Sequence, residues 1–347
     1  MNMTENKNSQ EVLLRVRGAK TYFPIKKGIM KHTIGYVKAV DDIDLDVYRG
    51  ETLGLVGESG CGKTTLGKTI LQLVPATAGS MEYKFSEGVR DLRKLSRKEL
   101  DEARQKIQIV FQDPYSSLNP AFTILGSLED PLKKFGMKKK SDRIEKIAGL
   151  LEDVNLPREY MTRYPNEFSG GQRQRIGIAR ALSVDPELII CDEAVSALDV
   201  SIQAQVLKLL NKLKQERNLT YIFITHDLSV VEYLADRIAV MYLGRIVELS
   251  SSEELFGNTL HPYTKALLSA IPVANVNHKK KRIPLQGDVP SPANPPSGCT
   301  FHPRCPECRE QCKKDKPKLI EYNINGVRHS VACHLVEEKY KDCIVEQ

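Results

Sequence analysis

Thr52-Leu53-Gly54-Leu55-Val56 runs directly into Gly57-Glu58-Ser59-Gly60-Cys61-Gly62-Lys63-Thr64-Thr65. The first five residues are almost wholly apolar or small, the pattern of a strand buried on both faces. The run breaks at Gly57, and from Leu66 to Leu73 apolar residues return at helical spacing. A strand, a glycine-rich turn ending in Lys-Thr, and a helix together make a phosphate cradle. The glycines let the backbone curl with its N–H groups inward, and the helix directs its positive end at the anion. Lys63 is expected to reach the β- and γ-phosphates and the Thr64 hydroxyl to ligate Mg²⁺. A plain glycine turn is the bland alternative, and the flanking strand and helix argue against it.

The second half of such a site is Leu188-Ile-Ile-Cys-Asp192-Glu193. An apolar strand there delivers one carboxylate and then another. Asp192 is expected to hold Mg²⁺ through water and Glu193 to polarise the attacking water. An acidic pair at a strand end is weak evidence alone, because such ends commonly carry polar caps. Downstream of a phosphate loop it becomes specific.

Around these motifs the chain reads as α/β. Alternation in Val12–Val16 and Ile43–Val47 predicts short strands over 12–50, and Tyr221–Thr225 is another buried strand. The stretch from about 113 to 184 is charged and mostly helical in pattern. Buried strands alternating with helices predict a mainly parallel sheet with the site at its carboxyl ends. After about Asn258 the composition shifts, with Pro284, Pro290, Pro292, Pro295 and Pro296 crowded together. The expected division is therefore 1–258 for the nucleotide-binding domain and 259–347 for a small, loop-rich extension.

The bulk properties narrow the class. Among 347 residues no apolar run approaches the roughly 18–20 needed to cross a membrane. The polar stretch Met1–Gln10 carries no signal-peptide core. A cytoplasmic protein is expected, peripheral if it works at a membrane. The formal charge of +7 permits nucleic acid, but no nucleic-acid-binding module is readable and none is expected as partner. The basic runs Lys138–Lys140 and Lys279–Lys281 read as solvated loops.

Phe168-Ser169-Gly170-Gly171-Gln172, lying between the two phosphate motifs, resembles the signature sequence of ATP-binding-cassette (ABC) ATPases. Other elements of that family stand in the expected order. Gln112 in Val-Phe-Gln-Asp-Pro resembles the Q-loop, Ser196-Ala-Leu-Asp199 the D-loop, and His226 in Ile-Thr-His-Asp the switch histidine. Tyr22 or Phe23 resembles the adenine-stacking aromatic. The resemblance implies a P-loop cassette with an antiparallel β subdomain and a helical signature subdomain. It implies Mg-ATP bound between two cassettes, with Ser169, Gly170, Gly171 and Gln172 of one facing the γ-phosphate held by the other. It further implies that His226 donates a hydrogen bond to the γ-phosphate and that Gln112 touches metal and water. Arg173 and Arg175 read as the outer face of the signature helix.

Three further stretches resemble importers of oligopeptides, dipeptides and nickel. These are Tyr164-Pro-Asn-Glu-Phe, His261-Pro-Tyr-Thr-Lys-Ala-Leu267, and Leu285 through Thr-Phe-His-Pro-Arg-Cys305. The insertion around Pro24–Lys38 has the same likeness. The resemblance is to the second of two non-identical ATPase subunits. It implies a partner cassette, two permease subunits and an extracytoplasmic peptide-binding protein, with this chain on the cytoplasmic face of the membrane. Which ligand is carried (dipeptide, longer peptide, nickel or another small molecule) is not written in these motifs. A soluble cassette ATPase is the rival class, but neither a tandem cassette nor a long coiled-coil insertion is present.

Six of the eight cysteines lie between Cys299 and Cys343. Four thiolates suit tetrahedral zinc or an iron–sulfur cluster, and free reduced thiols are the third reading. By resemblance, Cys299, Cys305, Cys312 and Cys333 would hold a [4Fe–4S] cluster, with Cys308 departing from the simple four-cysteine pattern.

Overall fold

A computed structural model describes residues 11–29, 31–113, 115, 117–271 and 282–345. The stretch Met1–Gln10 and the run Lys279–Lys281 lie outside the described residues. In chain order the strands are β1 (Val12–Lys27), β2 (His32–Tyr48), β3 (Thr52–Val56), β4 (Ala78–Phe85), β5 (Gly88–Asp91) and β6 (Ile107–Val110). They continue with β7 (Leu188–Asp192), β8 (Thr220–Thr225), β9 (Arg237–Tyr242), β10 (Arg245–Ser251), β11 (Ile320–Ile324) and β12 (Val327–Val331). The chain divides into two units. One takes in Lys94–Ile224 with Tyr48–Thr52, and the other takes in Leu13–Val47, Leu53–Arg93 and the described residues from Thr225 onward.

In the first unit β6, β7 and β8 pair in parallel, with Ile109 opposite Ile190 and Cys191 opposite Phe223. Every residue of β7 and β8 is buried, which is why both read as unbroken apolar runs. Helix Val200–Arg217 buries Leu209, Leu210 and Leu213 and exposes its charged face. The region before it holds the helices Ile124–Lys134, Lys140–Asp153 and Gly170–Leu182. The first two are joined by a buried ion pair. Arg143 Nε donates to Glu129 at 2.7 Å, and its Nη1 donates to the carbonyls of Met137 and Lys138 in the connecting turn. Lys138–Lys140 are exposed, as a solvated run should be.

The second unit contains two sheets. The smaller has the order β2-β1-β4-β5, and its β1–β4 and β4–β5 pairs are antiparallel. Here the expected short strands over 12–50 are replaced by two long ones. Pro24 and the polar tip break the alternation of burial but not the strand, and the β1–β4 pairing carries a register shift between Arg17 and Lys20. The larger sheet of this unit has the order β11-β12-β10-β9-β3. β3 and β9 are parallel, whereas β9–β10, β10–β12 and β12–β11 are antiparallel, so the fold is mixed rather than mainly parallel.

The described residues after 259 include more regular structure than the proline-rich stretch suggests. The β11–β12 hairpin bonds directly to β10, with Leu249 opposite Ser330. Its apolar side joins Leu260, Tyr322, Ile324, Val331 and Val336 in one cluster, against which Cys333 and Cys343 pack. Beneath it Glu248, fully buried, accepts from His329 Nε2 at 2.8 Å and from the amides of Leu260 and His261.

Candidate functional site

The phosphate loop of the second unit is shaped by glycine where the sequence placed it. Gly57 has φ 152° and Gly62 has φ 107°. A Cβ on Gly57 would sit 2.1 Å from the Met241 carbonyl oxygen, and one on Gly62 would sit 2.0 Å from that of Ala39. Both positions thus need glycine for conformation and for space. The helix that follows is Lys63–Ile70, beginning three residues earlier than the apolar spacing indicates, with Leu66 N–H bonded to the Gly62 carbonyl. Its first turn contains Lys63, Thr64 and Thr65, directly after the loop.

Lys63 is folded back into its own loop. Its Nζ donates to the carbonyls of Gly57 at 2.7 Å and Glu58 at 3.0 Å. The Cys61 sulfur lies 3.6 Å from the same ammonium, and burial raises the Cys61 thiol pKa against the pull of that charge. Ser59 and Gly60 form the exposed lip of the loop. Tyr22 and Phe23, on β1 in the same unit, differ in constraint. The Tyr22 hydroxyl donates to Asp41, which also takes two bonds from Arg245 at 2.8 and 3.0 Å, whereas Phe23 is 41% exposed. Burial and the Asp41 bond both raise the Tyr22 pKa, so it stays a phenol.

The two adjacent carboxylates of the first unit stand at the end of β7. Asp192 is buried and ends the strand. Glu193 follows at φ 48°, a left-handed turn that re-aims the second carboxylate after the strand, and its N–H bonds to the Ile224 carbonyl. This answers how adjacent carboxylates escape the alternation of a strand. Gln112, exposed beyond β6, donates from Nε2 to Glu193 Oε2 at 2.7 Å, so the structure brings these two together. Ser169 caps helix Gly170–Leu182 in a reciprocal box with Gln172. A Cβ on Gly171 would come within 2.4 Å of Ile202, so this glycine allows close packing of the helix at Val200–Arg217, which Asp199 caps. Arg175 donates to Gln205. Arg173 is not simply an outer-face residue. Its guanidinium lies 3.9 Å from the Tyr115 ring centroid, joining the signature helix to the segment after Gln112. His226, in the second unit, is exposed just after β8.

The sequence reading missed what holds the phosphate loop from outside. Arg304 grips the Glu58 carboxylate through two bonds of 2.7 and 3.1 Å, and the Tyr263 hydroxyl accepts the Glu58 N–H at 2.9 Å. Both partners fall in stretches quoted only for their family likeness, and no local pattern reveals a contact across more than two hundred residues.

The C-terminal thiols gather without forming a finished metal site. Cys299 is under the electrostatic influence of Cys333 and Cys312, and Cys305 under that of Cys333, Cys299 and Cys308. Burial pushes the Cys299 thiol up to about 11 and Cys305 up to about 12. Backbone N–H groups point at these sulfurs: Phe301 and His302 at Cys299, Glu307 at Cys305, and Val336 and Leu335 at Cys333. Among the described residues no three His, Cys, Asp or Glu side chains are spaced to grip a metal ion. N–H groups on sulfur are contacts that a thiolate site can use to stabilise charge, while burial of these thiols opposes it.

A glycine-shaped phosphate loop, a strand-end carboxylate pair and a serine-capped signature helix define a P-loop ATPase cassette. Residues 40–196 match the family described as ABC transporter, and residues 247–312 match the oligopeptide/dipeptide transporter C-terminal region. Oligopeptide transport ATP-binding protein AppF of Bacillus subtilis is 51% identical over 330 residues, covering 94% of this chain and 98% of that protein. Dipeptide transport ATP-binding protein DppF of Haemophilus influenzae is 47% identical over 338 residues, covering 96% and 100%. A dimeric post-hydrolysis structure of the ATP-binding cassette MJ0796, bound to ADP and phosphate, superposes with TM-score 0.60 at 27% identity. It covers 69% of this chain and 99% of its own. The chain belongs to the ABC ATPase family, in the branch of oligopeptide and dipeptide transporter ATP-binding subunits.

Proposed function

We infer that this chain is the ATP-hydrolysing motor subunit of a peptide importer. The observation that carries the inference is the coincidence of a full ABC motif set with the importer-type C-terminal region in one chain. The division at about 258 is our reading of where the cassette ends and that region begins. Mg-ATP would sit on the loop Gly57–Thr65, with Lys63 on the β- and γ-phosphates and Thr64, Gln112 and Asp192 around the metal. Glu193 would orient the attacking water, and Tyr22, tethered to Asp41, or the exposed Phe23 would stack on adenine. Ser169, Gly170, Gly171 and Gln172 would complete the site of a second cassette, with Asp199 and His226 at the closing interface. Phosphoryl transfer depends chiefly on positioning and charge stabilisation, so closure of the pair can switch hydrolysis on.

The partners fit this role. No helix among the described residues is long and apolar enough to cross a membrane. Tyr115, Phe122 and Tyr164, exposed by 62%, 50% and 46%, offer aromatic anchors in the helical unit for a permease. We take the assembly to contain a second, non-identical cassette, two permease subunits and an extracytoplasmic peptide-binding protein, with this chain peripheral on the cytoplasmic face. ATPase activity of the chain alone, then with a partner cassette and permeases in lipid, tests this. Near-silence alone and strong activation in the complex are expected, and high activity alone would contradict it.

A finer reading concerns the thiols. Cys299, Cys305, Cys312 and Cys333 would hold a [4Fe–4S] cluster, which when bound supplies a rigid crosslink among four chain segments. Gathered sulfurs with N–H donors support it, and anaerobically purified protein lacking iron and visible absorbance would overturn it.

A further inference from the structure

We propose that Arg304, with Tyr263, is a positioning residue for ATP binding, fixing the phosphate loop from the C-terminal region. The proposal rests on the reading of Gly57–Thr65 as the phosphate cradle. Glu58 is the second residue of that loop, and each of its polar parts is held. Its N–H donates to the Tyr263 hydroxyl, its carbonyl accepts from Lys63 Nζ, and its carboxylate takes both prongs of Arg304. Two of these three ties come from residues beyond 258. The loop curvature and the seat of the phosphate-binding lysine are therefore set jointly with the C-terminal region.

The ties are themselves braced. Arg304 is 8% exposed, and the Tyr263 side chain is completely buried. Phe301 packs 5.3 Å from the ring centroids of both Tyr242 and Tyr263, those two rings lie 4.7 Å apart, and the Arg304 guanidinium faces Tyr242 at 6.0 Å. A planar fork held this way fixes both direction and distance, which a lysine cannot do.

Two physical effects follow. Ordering a loop before its ligand arrives removes a cost from binding. A carboxylate beside a triphosphate also repels it, and Arg304 neutralises that charge where it stands. Without the guanidinium, Glu58 becomes an uncompensated negative charge next to the anion and its backbone loosens. The loss therefore falls on nucleotide affinity before it falls on the chemical step.

The test measures the Kd of a fluorescent ATP analogue on the full-length chain, and KM for ATP and kcat in the assembled transporter. Arg304→Met is expected to raise Kd and KM about tenfold while leaving kcat at saturating ATP within about twofold. Arg304→Lys should fall between. Adding Glu58→Gln to Arg304→Met should recover part of the affinity, because it removes the repelling charge. A purely structural role would lower the thermal midpoint and the active fraction, with unchanged KM in what remains. Unchanged Kd and KM in Arg304→Met would overturn the proposal. Should that variant not fold, unchanged Kd in both Arg304→Lys and Glu58→Gln would overturn it equally. Lys63→Ala separates the two layers. Retained affinity there defeats the cradle reading itself, whereas lost affinity there with normal Arg304 variants defeats only the strap.

Discussion

His261 folds with its ring neutral, and this makes stability fall as the medium is acidified. The ring is buried, packs 5.7 Å from Phe301, and accepts the Tyr263 N–H on Nδ1 at 3.1 Å. The mobile proton therefore belongs on Nε2, and a second proton would turn the accepting nitrogen into a donor facing a donor. Burial drives the pKa from 6.5 down to about 4, with Lys265 adding to the fall and the Glu248 carboxylate opposing it in part. Above pH 6.5 the imidazole is neutral whether the chain is folded or not. Between 6.5 and about 4 the unfolded chain takes a proton that the folded chain refuses, so the contribution is lost over that window. At about 1.4 kcal/mol per pH unit, roughly 2 kcal/mol disappears between pH 7.5 and pH 5, with a ceiling of about 3 kcal/mol. Urea melts of the wild type and of His261→Asn at several pH values read this directly. Asparagine keeps an acceptor at the start of helix Pro262–Ser269 but does not titrate. Groups that titrate alike in both proteins largely cancel in the difference. The stability gap between wild type and variant should shift by about 2 kcal/mol in favour of the variant from pH 7.5 to pH 5. A gap that stays constant across this range would refute the buried neutral histidine.

Glu193→Gln should retain ATP binding and lose turnover by about a hundredfold or more, trapping a closed cassette pair detectable by size-exclusion chromatography with ATP. Normal turnover would remove Glu193 from its role. Gly62→Ala should weaken ATP binding by more than about tenfold, since φ 107° and a contact of 2.0 Å to Ala39 both oppose a methyl group, and isothermal titration checks it. Arg173→Met should lower transport-coupled ATPase activity severalfold in the assembled complex while sparing nucleotide Kd, because it unstacks Tyr115 from the signature helix.

Local chemistry was the legible part of this protein. β3 and β7 were readable because a strand buried on both faces has no alternation to disguise it, and Gly57 and Asp192 end those runs abruptly. Apolar spacing marks the helix only from Leu66 because its first turn, from Lys63, carries no apolar residue. The long hairpin of β1 and β2 was read as fragments, since exposed Lys26, Lys27 and His32 carry no burial signal. The β11–β12 hairpin, outside the expectation of a loop-rich extension, carries its own sequence signal. Asn325-Gly326, both at positive φ, joins alternating Tyr322, Ile324 and Val327, His329, Val331. At the site, the loop, the carboxylates and the capping serine were legible as motifs. The grip of Arg304 and Tyr263 on Glu58 was not, because it exists only once distant segments have folded together.

The pairing of β12 with β10 carries a lesson for handling the protein. An open strand edge is a template for other chains, and β10 lies where the larger sheet of its unit would otherwise end. In the intact chain β12 covers it and β11 covers β12, and the last segment folds back over β11 through the Tyr322–Ile344 bridge and the Val345–Glu321 bond. A fragment cut at 258 would strip these layers away together with His329, leaving the buried Glu248 without its imidazole partner. Such a fragment should stick to itself through the bared edge, so a trimmed cassette would report on aggregation before it reported on ATP.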